Sequence, residues 1–351
     1  MSDDPGNPPR PPRRKRYAGT HPRRFDQRYK ELSPEKYPEL VEHVRQAGRT
    51  PAGTHVPIMV AEVMQALAPA PGDVAADCTL GYGGHAEGFL KRVLPGGRLI
   101  GFDVDAEHLE RTAQRLEGFG EAFKAVRGNF AGLGKALAAE GLDGFDVIFA
   151  DLGVSSMQVD DPRRGFSYKH EGPLDMRMDG RLARSAADMA ASLSREELSQ
   201  ALRELGDEED HQAIAAEIVR VRRERPIRTT GELVDAVFRA KKLNRRRWRE
   251  QTEEGLHPAA RTFQAMRILV NDELGSLRQL LRLAPYCLRA GGRIGVLSFH
   301  SGEDRLVKQA FREGLRNGDY AQAADEVVRP TAGEVHSNPR SSSAKLRWAR
   351  K

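Results

Sequence analysis

A chain of 351 residues, 39% hydrophobic and 30% charged with a formal net charge of +6, has material for one large globular domain or a domain with an inserted lobe. No apolar run approaches the roughly 20 residues of a membrane span, and none follows the basic start as a signal peptide would require, so a cytoplasmic protein without a membrane partner is expected. The two cysteines, Cys78 and Cys287, lack any paired spacing, which excludes a disulfide framework and leaves no metal signature.

Residues 1–53 form a basic, proline-rich extension. Residues 1–30 hold Arg10, Arg13, Arg14, Lys15, Arg16, Arg23, Arg24, Arg28 and Lys30 against Asp3, Asp4 and Asp26, an excess equal to the net charge of the whole chain, +6. With few apolar residues and prolines at 8, 9, 11, 12 and 22, the arm is expected to be disordered when free. Its charge suits phosphate contacts, which are strong and indifferent to sequence.

From Thr54 the pattern becomes globular. Residues 57–67 read as an amphipathic helix. Strands at 74–80, 98–104, 123–127 and 145–152 then alternate with helices at 85–94, 106–116 and 133–140, which is the rhythm of a parallel sheet covered on both faces. Between about 160 and 260 the chain is charged and helical, with helices at 196–204, 210–223 and 230–241, the last capped by Thr229. Basic groups recur there at Arg220–Arg228 and Lys241–Arg249, with Trp248 inside the second run. The rhythm resumes with a helix at 272–288, a turn at 290–292, a strand at 293–299, a helix at 304–313 and a final strand at 343–349. The expected division is 54–159 for the first half of a core, 160–260 for an inserted lobe and 261–351 for the second half.

The run Asp77-Cys-Thr-Leu-Gly-Tyr-Gly-Gly-His85 sits between the first strand and its helix. Glycines there let the backbone approach a ligand and leave the free N–H groups of the helix facing it. Gly81, Gly83 and Ala86 fit a dinucleotide fingerprint, with Asp103 placed to hold a ribose; S-adenosylmethionine fits the same frame, with Asp77 or His85 for its amino-acid end. The loop alone leaves both cofactors open. Asp151 ends the strand that starts at Phe145 and is followed by Ser155 and Ser156, which puts a carboxylate and two hydroxyls at the rim of the cleft.

Seven motifs occur in order: D-x-T-x-G-x-G-G-H, D-L-G-V-S-S-x-Q, R-G-F-S-Y, G-P-L-D-M-R-M, H-P-A-x-R-T-F-Q-A-x-R, S-F-H-S-x-E-D-R and N-P-R-S-S-S-A-K-L-R. The series resembles the bacterial 16S ribosomal RNA cytosine N4-methyltransferase family from about Thr54 to the last residue. The resemblance implies an α/β fold, a doubly wound Rossmann-like methyltransferase sheet with an inserted helical lobe, and S-adenosyl-L-methionine as cofactor. It implies cofactor contacts from Gly83, Gly84, His85, Asp103, Phe130, Asp151 and Gln158, and 16S ribosomal RNA of the small subunit as partner; a homodimer is left open. The segment 207–213 is more acidic than the basic helix usual in the family, the arm before Thr54 lies outside the pattern, and the Asp/Asn-Pro-Pro-aromatic tetrapeptide of amino-methyltransferases is absent.

The exocyclic amine of cytosine is a poor nucleophile, because its lone pair is delocalised into the ring. Positioning and hydrogen-bond acceptance must supply the rate. Asp151 is the expected acceptor, supported by Ser155 and Ser156. Phe166 or Tyr168 is expected to stack on the target base, Arg261 to reach phosphate, and His300 to order the loop beside the substrate.

Overall fold

The computed structural model describes residues 57–250 and 256–351. The basic arm, with the expectation of disorder attached to it, lies outside the described residues. Helix α1 (Val60–Leu67) leads into β1 (Val74–Asp77), α2 (Gly84–Val93), β2 (Arg98–Asp103), α3 (Ala106–Arg115), β3 (Phe123–Arg127), α4 (Leu133–Ala139) and β4 (Phe145–Asp151). All four residues of β1 are buried, as a central parallel strand requires.

A helical stretch follows, with α5 (Ser156–Asp160), α6 (Ala186–Ser192), α7 (Arg195–Gly206), α8 (His211–Glu224), α9 (Thr230–Ala240), α10 (Arg245–Glu250) and α11 (Ala260–Asn271). Ser185, Ser194 and Thr229 each accept the N–H of the third helical residue, whose carboxylate returns the bond to the cap N–H, so α6, α7 and α9 start where local chemistry dictates. The chain ends with α12 (Glu273–Cys287), β5 (Leu288–Ser298), α13 (Ser301–Asn317), β6 (Gln322–Ala323), α14 (Ala332–Ser337) and β7 (Lys345–Arg350).

Among the described residues, seven strands form one sheet in the order β3-β2-β1-β4-β5-β7-β6. β1 to β5 pair in parallel and β7 is antiparallel to both its neighbours, so the fold is a doubly wound, Rossmann-like sheet with a reversed terminal pair. Side chains alternate across β4. Ile148 and Ala150 join Leu277, Leu280 and Phe311 on one face, while Val147 and Phe149 join Leu67, Phe89 and Leu90 on the other.

A third apolar cluster belongs to the lobe and runs from Phe166 through Val270. By packing, α11 therefore goes with the lobe, past the expected boundary at 260. The turn expected at 290–292 is instead part of β5: pairing with β4 shifts register between Phe145 and Val147, and Gly291 adopts φ +79°, so the strand absorbs the glycines as a bulge. Among the described residues no helix is long and apolar enough to cross a membrane.

Candidate active site

The strand order reverses between β1 and β4, so their carboxyl ends part and open a crevice. Beyond the ladder, the Cys78 N–H donates to the Phe149 carbonyl at 2.7 Å and the Asp151 N–H donates to Thr79 Oγ1 at 2.6 Å. The two strand ends are thus tied just below the opening. Gly81 and Gly83 then take φ values of +48° and +74°. A Cβ on Gly83 would stand 2.7 Å from Thr112 Cγ2, so this glycine is needed for both space and conformation. The Gly81 N–H donates to Asp103 Oδ2 at 2.8 Å, which locks the loop to the end of β2.

A cavity of about 1180 Å³ lies over this crevice. That exceeds the roughly 300–1,000 Å³ of a single small-molecule pocket and leaves room for two ligands side by side. The glycine loop, Asp103, Phe130, Asp151, Ser155, Gln158, Tyr168, His300 and Glu303 all contribute to its lining.

Asp103 accepts the Gly81 N–H on one oxygen and the Asp105 N–H on the other, each at 2.8 Å. A carboxylate has about four acceptor positions, so capacity for two hydroxyls remains. Burial pushes its pKa up, opposed by nearby His108 and the two backbone donors. Asp151 Oδ1 is buried with no hydrogen-bond partner, and burial, Asp77 and Glu303 hold this carboxyl well above its ordinary range. Asp151 Oδ2 lies 3.7 Å from His85 Nδ1. His85 Nε2 is 2.9 Å from the Ile58 carbonyl, which fixes the hydrogen of a neutral ring on Nε2 and turns a lone pair on Nδ1 toward Asp151.

Gln158 holds the rim together. Its amide donates to Asp105 Oδ2 at 2.9 Å and its carbonyl accepts the Ser155 N–H at 3.1 Å. Arg164 reaches the same Asp105 oxygen at 2.8 Å, so the lobe loop and the cofactor-side helix meet on one carboxylate. On the far wall, Arg267 grips Glu273 through both oxygens at 2.9 and 3.0 Å.

The expected site residues are not all brought together. Gly84, His85, Asp103, Phe130, Asp151, Ser155, Gln158, Phe166, Tyr168 and His300 line the cavity. Gly83 shapes the loop from below it, as the left-handed cap of α2. The Ser156 side chain lies outside the described part of the structure. Phe166 is 7% exposed within the lobe core, whereas Tyr168 is half-buried and stacks on His257 at 4.3 Å. Arg261 is spent on the Asp207 carbonyl and Glu209, away from the cavity. His300 caps α13, its Nδ1 accepting the Glu303 N–H at 3.4 Å. Asp77 is 1% exposed behind the loop, where burial raises its pKa to about 7; it is no partner for a ligand. Of the lobe's basic runs, Arg220, Arg222 and Arg245 are engaged within the lobe.

Thr79, Asp105, Arg164, Arg267, Glu273 and Glu303 also belong to the site; Thr79, Arg164, Arg267 and Glu303 stand in the motifs without a role assigned to them, and Asp105 and Glu273 lie outside the motifs. The arginine that opens R-G-F-S-Y and the acid two residues past Asp103 are the local signals for the Arg164–Asp105 pair.

The sequence model of the MraW methylase family matches residues 52–351. Ribosomal RNA small subunit methyltransferase H 1 of Lachnoclostridium phytofermentans is 44% identical over 341 residues, covering 96% of this chain and 92% of the relative. Ribosomal RNA small subunit methyltransferase H 2 of Alkaliphilus metalliredigens is 44% identical over 341 residues, 96% of this chain and 97% of the relative. The methyltransferase H of Geobacter sulfurreducens is 45% identical over 313 residues, 85% of this chain and 99% of the relative. The family match begins where the arm was expected to end, yet alignments that cover 96% of the chain necessarily take in a large part of the arm.

Proposed function

Because the chain belongs to the MraW methylase family, we propose that it transfers a methyl group from S-adenosyl-L-methionine to the exocyclic N4 amine of a cytidine in 16S ribosomal RNA, acting in the cytoplasm on the small subunit or its precursor. The observation that carries this reading is the Asp151 carboxyl, which lines a cavity with room for two ligands and holds one oxygen, Oδ1, buried without a partner. Buried polar atoms are almost always paired, so an unpaired one at a switch point marks where a donor belongs.

The residues fit the cofactor. The left-handed glycines bring backbone close to a ligand, Asp103 has acceptor capacity for a ribose diol, and Phe130 offers an apolar face for an adenine. Asp151 and Glu303, which line the same cavity as the loop, oppose a pyrophosphate and favour a cationic ligand, which separates S-adenosylmethionine from NAD. When bound, the cofactor supplies an electrophilic methyl group. Asp151 Oδ1 accepts a hydrogen of the target amine and turns its lone pair toward that methyl; one charge-assisted hydrogen bond of this kind is worth about 1.5–3 kcal/mol. The Ser155 hydroxyl accepts the Gln158 N–H at 3.2 Å, which leaves its own hydrogen for the substrate. His85 Nδ1 faces the second oxygen of Asp151 and steadies the proton that the amine gives up. Tyr168, backed by His257, closes the base site. The cytidine must leave its stack to enter, at a cost of a few kcal/mol.

The test is mass mapping of 16S ribosomal RNA after incubation of unmethylated small subunits with the enzyme and isotopically labelled S-adenosylmethionine. A labelled methyl on the N4 of one cytidine is expected, and label on a ribose or ring carbon would overturn the reading.

A further inference from the structure

The late motif N-P-R-S-S-S-A-K-L-R reaches the same cavity, which Asn338, Pro339 and Arg340 help to line. The segment is anchored. Ser341 is fully buried, with its N–H and hydroxyl both donating to the Asn338 carbonyl at 2.9 and 2.8 Å. The preceding helix α14 is held by Glu334, whose carboxylate accepts the Met59 N–H at 2.7 Å. From this fixed turn the Arg340 guanidinium stands 58% exposed and meets Asp160 Oδ2, at the end of α5, at 3.5 Å. Asp160 also lines the cavity, so this single-point pair spans its mouth between the C-terminal segment and the rim of the lobe.

Charge decides what such a pair can do. Asp103, Asp151, Glu273 and Glu303 line the interior and repel phosphate, so when a base enters, its flanking phosphates must remain outside and be neutralised there. Of the other lysines and arginines that line the cavity, Arg267 is already held through both oxygens of Glu273 and Lys169 offers a point charge without a fork. Exposed ion pairs contribute little, whereas a guanidinium fork fits a phosphate at two points. We propose that Arg340 binds an RNA phosphate next to the target cytidine, and that Asp160 holds its side chain across the mouth until that phosphate displaces the carboxylate. This rests on the proposed RNA substrate.

The experiment is a salt titration of the binding of purified 16S ribosomal RNA to the full chain, with calorimetry of S-adenosylhomocysteine alongside. R340A should bind RNA roughly three- to tenfold more weakly, with the slope of log affinity against log salt shallower by about 0.7 and the S-adenosylhomocysteine affinity unchanged. R340K, which keeps the charge and loses the fork, should retain the slope and recover part of the affinity. D160N should tighten RNA binding, and that gain should vanish in the R340A background. Unchanged RNA affinity and slope in R340A, or a D160N gain that persists without Arg340, would overturn the proposal. Failure of the wild-type enzyme to methylate 16S RNA would overturn the functional reading instead, so the two failures are distinct.

Discussion

Asp77 and Asp151 close neighbouring strands and are both buried, but they face different ways. Asp77 is shut under the glycine loop and accepts the Thr79 N–H at 3.1 Å; Asp151 lines the cavity and keeps one buried oxygen without a partner. Asp151→Asn keeps the shape and removes the charge, so turnover at saturating cofactor should fall at least about tenfold while RNA affinity stays within about twofold. Single-turnover methylation with binding assays checks this. Since burial lifts the Asp151 pKa, the rate of the wild-type enzyme should rise with pH through a midpoint above the ordinary carboxylate range, and D151N should lose that limb. For Asp77, the folded-state pKa of about 7 exceeds the ordinary value of 3.8. The folded chain therefore holds a proton that the unfolded chain releases, and this contribution to stability is lost as pH rises from about 4 to 7. Asp77→Asn should flatten that part of a denaturation-versus-pH curve and stabilise the protein at neutral pH. An unchanged slope in urea melts would show that Asp77 does not titrate there.

Among the elements, the strand-and-helix alternation of the core is readable in the sequence because each buried strand is a short apolar run with a glycine or polar break beside it. The helices of the lobe are readable from their caps. Less legible is α11: its apolar positions Phe263, Met266 and Val270 have helical spacing, but no capping side chain marks its start. The two-residue β6 offers no periodicity at all. At the site, Asp103 and Asp151 are visible because a strand end fixes where an acid points. Pairs such as Arg164 with Asp105 and Arg340 with Asp160 are not, since only the fold brings distant segments into contact. Packing between α7 and α11 yields a test of its own. A Cβ on Gly206 would lie 2.5 Å from the Arg261 carbonyl oxygen, so Gly206→Ala must push the two helices apart, at about 1–3 kcal/mol. A lowered melting temperature with S-adenosylhomocysteine affinity retained is the expected outcome; unaltered melting would mean that the helices separate freely.

For the whole molecule, the positive excess resides in residues 1–30 and the rest of the chain is formally neutral, while the cavity itself is acidic. Cofactor capture and RNA capture are thus served by opposite charges in different places. Deleting residues 1–30 should leave cofactor affinity intact and weaken RNA binding, with a salt slope shallower by about 0.7 for each phosphate that the arm would have neutralised. Equal affinity and slope in the truncated protein would show that the arm takes no part. The route of the chain through the sheet also has a consequence in time. β1, β2 and β3 neighbour one another in sequence as in space, but β4 meets β5 only after the entire lobe has intervened, and β7 must return to pair with β5. Contacts between distant segments form late, because ordering the intervening chain precedes their reward. The wall of the cavity draws on residues from Pro57 to Arg340, so a half-built chain acquires helices and a partial sheet long before it has anywhere to hold its ligands. Ligand binding is therefore a stricter sign of completed folding here than secondary structure is.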